Sequence, residues 1–126
     1  MPVYVGVDLV EIDRIKKVFE KHKERFKRRI FTPHEIEECE KRKKYEECYA
    51  ARFAVKEAFS KAIGTGMRKG VRFMDIEVIN LPNGKPVLKL YGRAAEIVGD
   101  AFVDVSLTHT EHLAVAVVVL ERRNNG

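Results

Sequence analysis

One segment restricts the fold of this chain more than any other: Arg52-Phe53-Ala54-Val55-Lys56-Glu57-Ala58-Phe59-Ser60-Lys61-Ala62-Ile63-Gly64-Thr65-Gly66. At roughly 100° per residue, Ala51, Ala54, Val55, Ala58 and Ala62 gather on one side of a helix, while Arg52, Lys56, Glu57, Ser60 and Lys61 spread over the other half. Small residues on the packed side permit close approach to a neighbouring element. The polar half carries three cations and one carboxylate, a set that can place positive charge around phosphates while Glu57 helps to hold a metal. Gly64 and Gly66 stop the helix and free the backbone to approach a ligand. An ordinary amphipathic helix with a Glu57–Lys61 pair at i, i+4 and a glycine cap fits the same residues.

The 126 residues have room for one core, so a single domain spanning 1–126 is expected. No apolar run is long enough to span a bilayer, and the first eight residues lack the basic start and cleavage site of a signal peptide; a cytoplasmic protein is expected. Cys39 and Cys48 form neither a CxxC pair nor a disulfide framework and read as reduced, incidental thiols.

The net charge of +5 is unevenly spread: residues 14–29 contain nine Lys or Arg against Glu20 and Glu24, a local +7, leaving the rest at −2. Ile12, Ile15, Val18, Phe19 and Phe26 recur through this run at helical spacing, which predicts a helix or helix pair with its cations outward. Such a face meets solvent, nucleic acid or an acidic protein partner. No RNP, zinc-finger or aromatic-interleaved pattern accompanies it.

Elsewhere, residues 3–7 read as an opening strand that ends at Asp8, a position for a cap, a buried carboxylate or a ligand. Thr32, Pro33 and Glu35 spell a capping box with proline at the first helical position. A helix is expected over 45–63, then strands over 74–81 and 86–91 around the Asn83-Gly84 turn, a short helix over 93–98, and strands over 102–108 and 113–120. Helices thus fill the first half and strands most of the second. The last strand does not alternate in polarity, so both its faces should be covered, by a second copy or by layers of the same chain. The polar tail over 121–126 is expected to fray. His22 and His34 lie in polar helical surroundings and should be exposed. His109 lies in Ser106-Leu107-Thr108-His109-Thr110, where a loop histidine can reach a phosphate or simply bond its own loop. No zinc spacing, Gly-x-Ser-x-Gly or Walker pattern occurs.

In order along the chain stand Gly6-Val7-Asp8-Leu9-Val10-Glu11-Ile12-Asp13-Arg14-Ile15, Phe31-Thr32-Pro33-His34-Glu35, the 52–66 segment, Asn83-Gly84-Lys85-Pro86 and Ser106-Leu107-Thr108-His109. Over essentially its whole length the chain closely resembles the holo-[acyl-carrier-protein] synthase family of 4′-phosphopantetheinyl transferases, and no motif position departs from that pattern. The resemblance implies an α+β fold with helices in the N-terminal half packed on a mainly antiparallel sheet. It implies a magnesium-dependent enzyme of fatty acid biosynthesis that moves 4′-phosphopantetheine from coenzyme A to a serine of apo acyl carrier protein, releasing adenosine 3′,5′-bisphosphate. By similarity Asp8 and Glu57 are the metal-binding carboxylates, and Lys61 is the lysine at the coenzyme A phosphates. Arg52, Gly64, Thr65, Pro86 and His109 fall in segments that line the coenzyme A pocket. On the same footing Glu57, directly or through water, is the candidate acceptor of the serine proton, with Asp8 chiefly holding magnesium. Arg14, Lys17, Lys21 and Arg25 are expected to meet the acidic carrier. Family members are typically homotrimers with sites between subunits. Two other classes, a basic RNA-binding domain and an inactive carrier-binding subunit, use the +7 run but leave Asp8, Glu57 and Lys61 without a purpose.

Overall fold

The computed structural model describes residues 2–123. The chain runs β1 (Val3–Glu11), α1 (Ile12–Ile30), α2 (Pro33–Glu40), α3 (Tyr45–Ile63), a 3₁₀ turn Phe73–Asp75, β2 (Ile76–Asn80), β3 (Pro86–Leu90), α4 (Gly92–Val98), β4 (Phe102–His109) and β5 (Leu113–Glu121). The three long strands form an antiparallel sheet in the order β1-β5-β4, and β2 and β3 form a separate antiparallel hairpin. This is the expected α+β arrangement, with the helical half laid on strands.

The small-residue face of α3 is what joins the layers. Ala54, Ala58 and Ala62 are buried, and so are Ala114, Ala116, Val118 and Leu120 on the facing side of β5. Gly6 on β1 lies so close to the helix that a Cβ there would stand 1.9 Å from the Ala58 carbonyl oxygen and 2.7 Å from the Ala62 nitrogen. Only glycine fits that contact, and it sits two residues before Asp8 on the same face of the strand.

The basic run forms α1, and a break at His22 (φ −142°, ψ 38°) divides it into two helical halves. The break lets Phe19 and Phe26 both reach inward: Phe19 lies 5.0 Å from Tyr49, and Phe26 lies 5.8 Å from both Phe31 and Phe53, measured between ring centroids. Of the cations expected to point outward, Lys27 does not: it is buried and pairs with Glu24 and Glu40 at 3.5 and 3.2 Å. His22 and His34 are exposed as expected. Thr32 and Glu35 close the capping box at the start of α2, through N–H bonds of 2.9 and 3.3 Å.

Four expectations need correction. β1 continues three residues past Asp8, because Leu9 and Val10 keep pairing with Val115 and Ala114; Asp8 is therefore mid-strand and faces α3. β2 starts later than predicted, since Asp75 caps the 3₁₀ turn through the Arg72 N–H at 3.2 Å. Cys39 and Cys48 are joined as a disulfide between α2 and α3 and are not free thiols; both are buried, and the fold brings their Cα atoms to 5.4 Å. The predicted frayed tail begins too early: Glu121 pairs with Val3, and the Arg122 guanidinium donates to the Ile97 and Val98 carbonyls at 3.0 and 3.2 Å. The rest of that prediction, residues 124–126, lies outside the described residues.

On the side of the sheet away from α3, Val3, Val5, Val7 and Leu9 are 53, 60, 53 and 57% exposed. Their neighbours on β5, Val115, Val117 and Val119, are partly buried. Thus one face of the apolar last strand is covered by α3, and the other lies open within this chain.

Candidate active site

Asp8, Glu57 and Lys61 come together where β1 passes under the C-terminal half of α3. The Lys61 ammonium donates to Asp8 Oδ1 at 3.0 Å and to the Val7 carbonyl at 3.1 Å. Burial, and then the nearby negative charge of Asp8, push the Glu57 carboxyl above the usual glutamate range, with Lys61 opposing. Ser60 turns its hydroxyl back to the Glu57 carbonyl at 2.7 Å and does not face the cluster. The two carboxylates open on a cleft of about 370 Å³ lined by Leu9, Val10, Ile15, Val18, Phe26 and Phe53, with Arg14 at its edge. One wall is apolar and the corner at Asp8 and Glu57 is charged, the usual make-up of a small-molecule or side-chain pocket.

Two neighbouring carboxylates, Asp8 and Glu57, with an exposed lysine beside them, offer part of an oxygen shell for a hard cation. Among the described residues no group of three or more His, Cys, Asp or Glu side chains gathers into a protein-only metal cage. Magnesium fits such a pair, because it commonly takes one or two protein carboxylates and fills its remaining positions with water and phosphate oxygens.

The polar face expected on α3 is largely not a face. Arg52, Lys56 and Ser60 are buried, and only Glu57 and Lys61 reach the cluster. Lys56 points into the core and takes no part in a phosphate cradle. Beyond Lys61, Gly64 adopts φ +80° and caps the helix, and the Gly66 N–H returns to the Ser60 carbonyl at 3.2 Å. Thr65 bonds the Gly66 carbonyl at 2.6 Å, so this loop stands at the cluster's end of α3.

Arg52 and His109 lie elsewhere. They line a second pocket of about 270 Å³ together with Arg42, Lys44, Glu47, Cys48, Ala51, Asn80 and Leu107. The Arg52 guanidinium donates to Asn80 Oδ1 at 2.7 Å and to Cys48 Sγ at 3.0 Å, while its buried Nε has no hydrogen-bond partner among the described residues. Burial, and then the adjacent Arg42, disfavour its charge. Pro86 pairs across the hairpin with Asn80 but is not itself among the residues that line this pocket. His109 Nδ1 lies 3.8 Å from Glu47 and 3.3 Å from the Thr110 carbonyl. Arg42, Lys44 and Asn80 were not singled out from sequence. The run of four cations over 41–44 was the available signal, but a charge run by itself reads as solvated surface.

The sequence pattern of the 4′-phosphopantetheinyl transferase superfamily matches residues 4–118, which covers both pockets. The chain belongs to this superfamily. Among its relatives there, a holo-[acyl-carrier-protein] synthase of Solibacter usitatus is 51% identical over 124 residues, 96% of this chain and 99% of its own. A holo-(acyl-carrier-protein) synthase from Bacillus anthracis, solved in complex with CoA (3′,5′-ADP), superposes with TM-score 0.81 at 40% identity, covering 95% of this chain and 96% of the other. The crystal structure of the Neisseria meningitidis holo-[acyl-carrier-protein] synthase gives TM-score 0.85 at 37% identity over 94% and 98% of the two chains.

Proposed function

We propose that this chain, acting as one domain, transfers the 4′-phosphopantetheine of coenzyme A to a serine of apo acyl carrier protein, in the cytoplasm and for fatty acid biosynthesis. The observation that carries the reading is the convergence of Asp8, Glu57 and Lys61 at the mouth of one cleft, in a chain with full-length holo-[acyl-carrier-protein] synthase relatives.

In the reaction the serine oxygen forms a bond to the pantetheine-side phosphorus, and the bond from that phosphorus to the bridging oxygen breaks. The electron pair leaves with adenosine 3′,5′-bisphosphate. Glu57, directly or through a water, accepts the serine proton. Lys61, its side chain 54% exposed, presents an ammonium to the charge that grows on the departing phosphate. Asp8 and Glu57 would hold magnesium, whose charge would offset that of the diphosphate.

The pocket at Arg52 supports a phosphate at the nucleotide end. A buried guanidinium with an unsatisfied N–H, placed beside Arg42, Lys44 and His109, is stabilised by an anion. From Arg52 to Glu57 is five helical positions, about 7.5 Å of rise and a turn of roughly 140°, so the two pockets open on different sides of α3. One coenzyme A then reaches both charged corners if a second copy supplies the Arg52 pocket beside the first copy's Asp8. The exposed valines of β1 offer the surface for such an assembly, and a homotrimer with sites between subunits accounts for both facts. Arg14 at the cleft, with exposed Lys17, Lys21 and Arg25 further along α1, forms the landing surface for the acidic carrier.

The test is the intact mass of an apo acyl carrier protein after incubation with the chain and coenzyme A, with magnesium or with chelator. A magnesium-dependent gain of one phosphopantetheine is expected. No gain across several carriers, with the chain folded, would reduce Asp8, Glu57 and Lys61 to structural charges.

A further inference from the structure

Lys56 and Glu35 form an ion pair in the dry core: both side chains are 0% exposed and Nζ stands 2.7 Å from Oε1. The lysine also donates to the Ile30 carbonyl at 2.8 Å and the Phe73 carbonyl at 3.0 Å, so all three of its protons are taken. Glu35 in turn accepts the Thr32 N–H at 2.9 Å and the Val78 N–H at 2.8 Å. One side chain of α3 is thereby tied to the end of α1, the start of α2, the turn before β2 and, through Glu35, to β2 itself.

A buried ion pair is a poor source of stability, because desolvation of two charges offsets most of their attraction. What this one supplies is geometry. Three acceptors on three different elements accept the ammonium at only one rotation and one axial setting of α3. The next residue is Glu57, and the one after it, Ala58, has its carbonyl against Gly6 of β1. Lys56 and Ala58 lie roughly 200° apart around the helix. Glu57 is thus flanked by an ionic anchor on one side of α3 and a steric anchor on the other, and the strand of the steric anchor carries Asp8.

We propose that Lys56, together with Glu35, is a positioning residue for phosphopantetheine transfer: it sets the rotation of α3 that turns Glu57 toward Asp8, without touching substrate. This role rests on the assignment of Asp8 and Glu57 made above and adds a constraint on how their spacing is kept.

The experiment compares the wild type with Lys56→Met and with Glu35→Gln. The second variant keeps the shape of the side chain and removes its charge, and it carries the test if the first does not fold. For each protein three quantities are measured: the thermal midpoint, magnesium affinity by calorimetry without substrates, and kcat and KM for transfer at a temperature where the variant is folded. The expected result is a fall in kcat and in magnesium affinity of about 10- to 100-fold, with KM for coenzyme A within about threefold of wild type. A purely structural pair would lower the midpoint and leave kcat per folded molecule and magnesium affinity unchanged, and that outcome in a folded variant would overturn the proposal. Absence of transfer by the wild type in the same assay would instead overturn the reading of the site itself, and this role with it.

Discussion

Glu57 carries the sharpest consequences at the scale of single residues. Its carboxyl holds its proton more tightly in the folded chain than in the unfolded one, through burial and then Asp8. Such a group makes folding less favourable as pH rises through the ordinary glutamate value of 4.5 and above, because the native state binds more protons than the unfolded state there. Glu57→Gln removes that penalty. In chelator at neutral pH the variant should melt higher than the wild type, and the difference should shrink to nothing as pH drops below the ordinary glutamate value; a thermal melt against pH reads both. The same substitution should lower transfer by about 10²- to 10⁴-fold at saturating magnesium. Near-normal turnover would remove Glu57 from both metal binding and base duty. Gain of stability with loss of activity is what separates a functional carboxylate from a structural one.

At the scale of elements, the contact of β1 with α3 decides the site. Gly6→Ala places a methyl group 1.9 Å from a backbone oxygen that no rotamer change can move, so strand and helix must separate. A loss of about 1–3 kcal/mol in chemical denaturation is expected, with kcat falling further than the lost stability explains, since Asp8 moves with the strand. Helix α1 makes a different kind of prediction, because its outward cations touch no part of the reacting cluster except at Arg14. Reversing charge with Lys17→Glu and Lys21→Glu should raise KM for the carrier at low salt, lose that effect at high salt, and leave coenzyme A binding unchanged. An unchanged KM at low salt would take the helix out of the docking surface. The disulfide between Cys39 and Cys48 belongs to this scale as well: it closes the cationic loop over 41–44 beside the Arg52 pocket, with nine residues of sequence separation.

At the scale of the whole molecule, the proposed assembly, a second copy against the sheet, would account for both the open valine face and the two separated pockets. Val5→Glu alters a side chain that is 60% exposed within the single chain, so the fold should survive it. Sedimentation should show a trimer for the wild type and a monomer for the variant, with transfer lost while the melting transition stays cooperative. A monomeric wild type with full activity would place coenzyme A within one chain. The boundaries of α3, the capping box of α2 and the hairpin at Asn83-Gly84 were legible from sequence, because capping, turn and periodicity signals are local and act over a few residues. Membership in the transferase superfamily was legible for a related reason: its sequence motifs stand in order along the chain as short local runs. Which polar residues of α3 face the site was not. Lys56 and Arg52 belong to the same broad polar half of α3 as Lys61, but whether a lysine meets water or a buried glutamate depends on Glu35, which lies 21 positions away. The pairing of Cys39 with Cys48 and the inward aim of Asp8 were likewise decided by the tertiary structure. In each case a residue's partner is set by how distant elements pack, which pattern and propensity along the chain do not record.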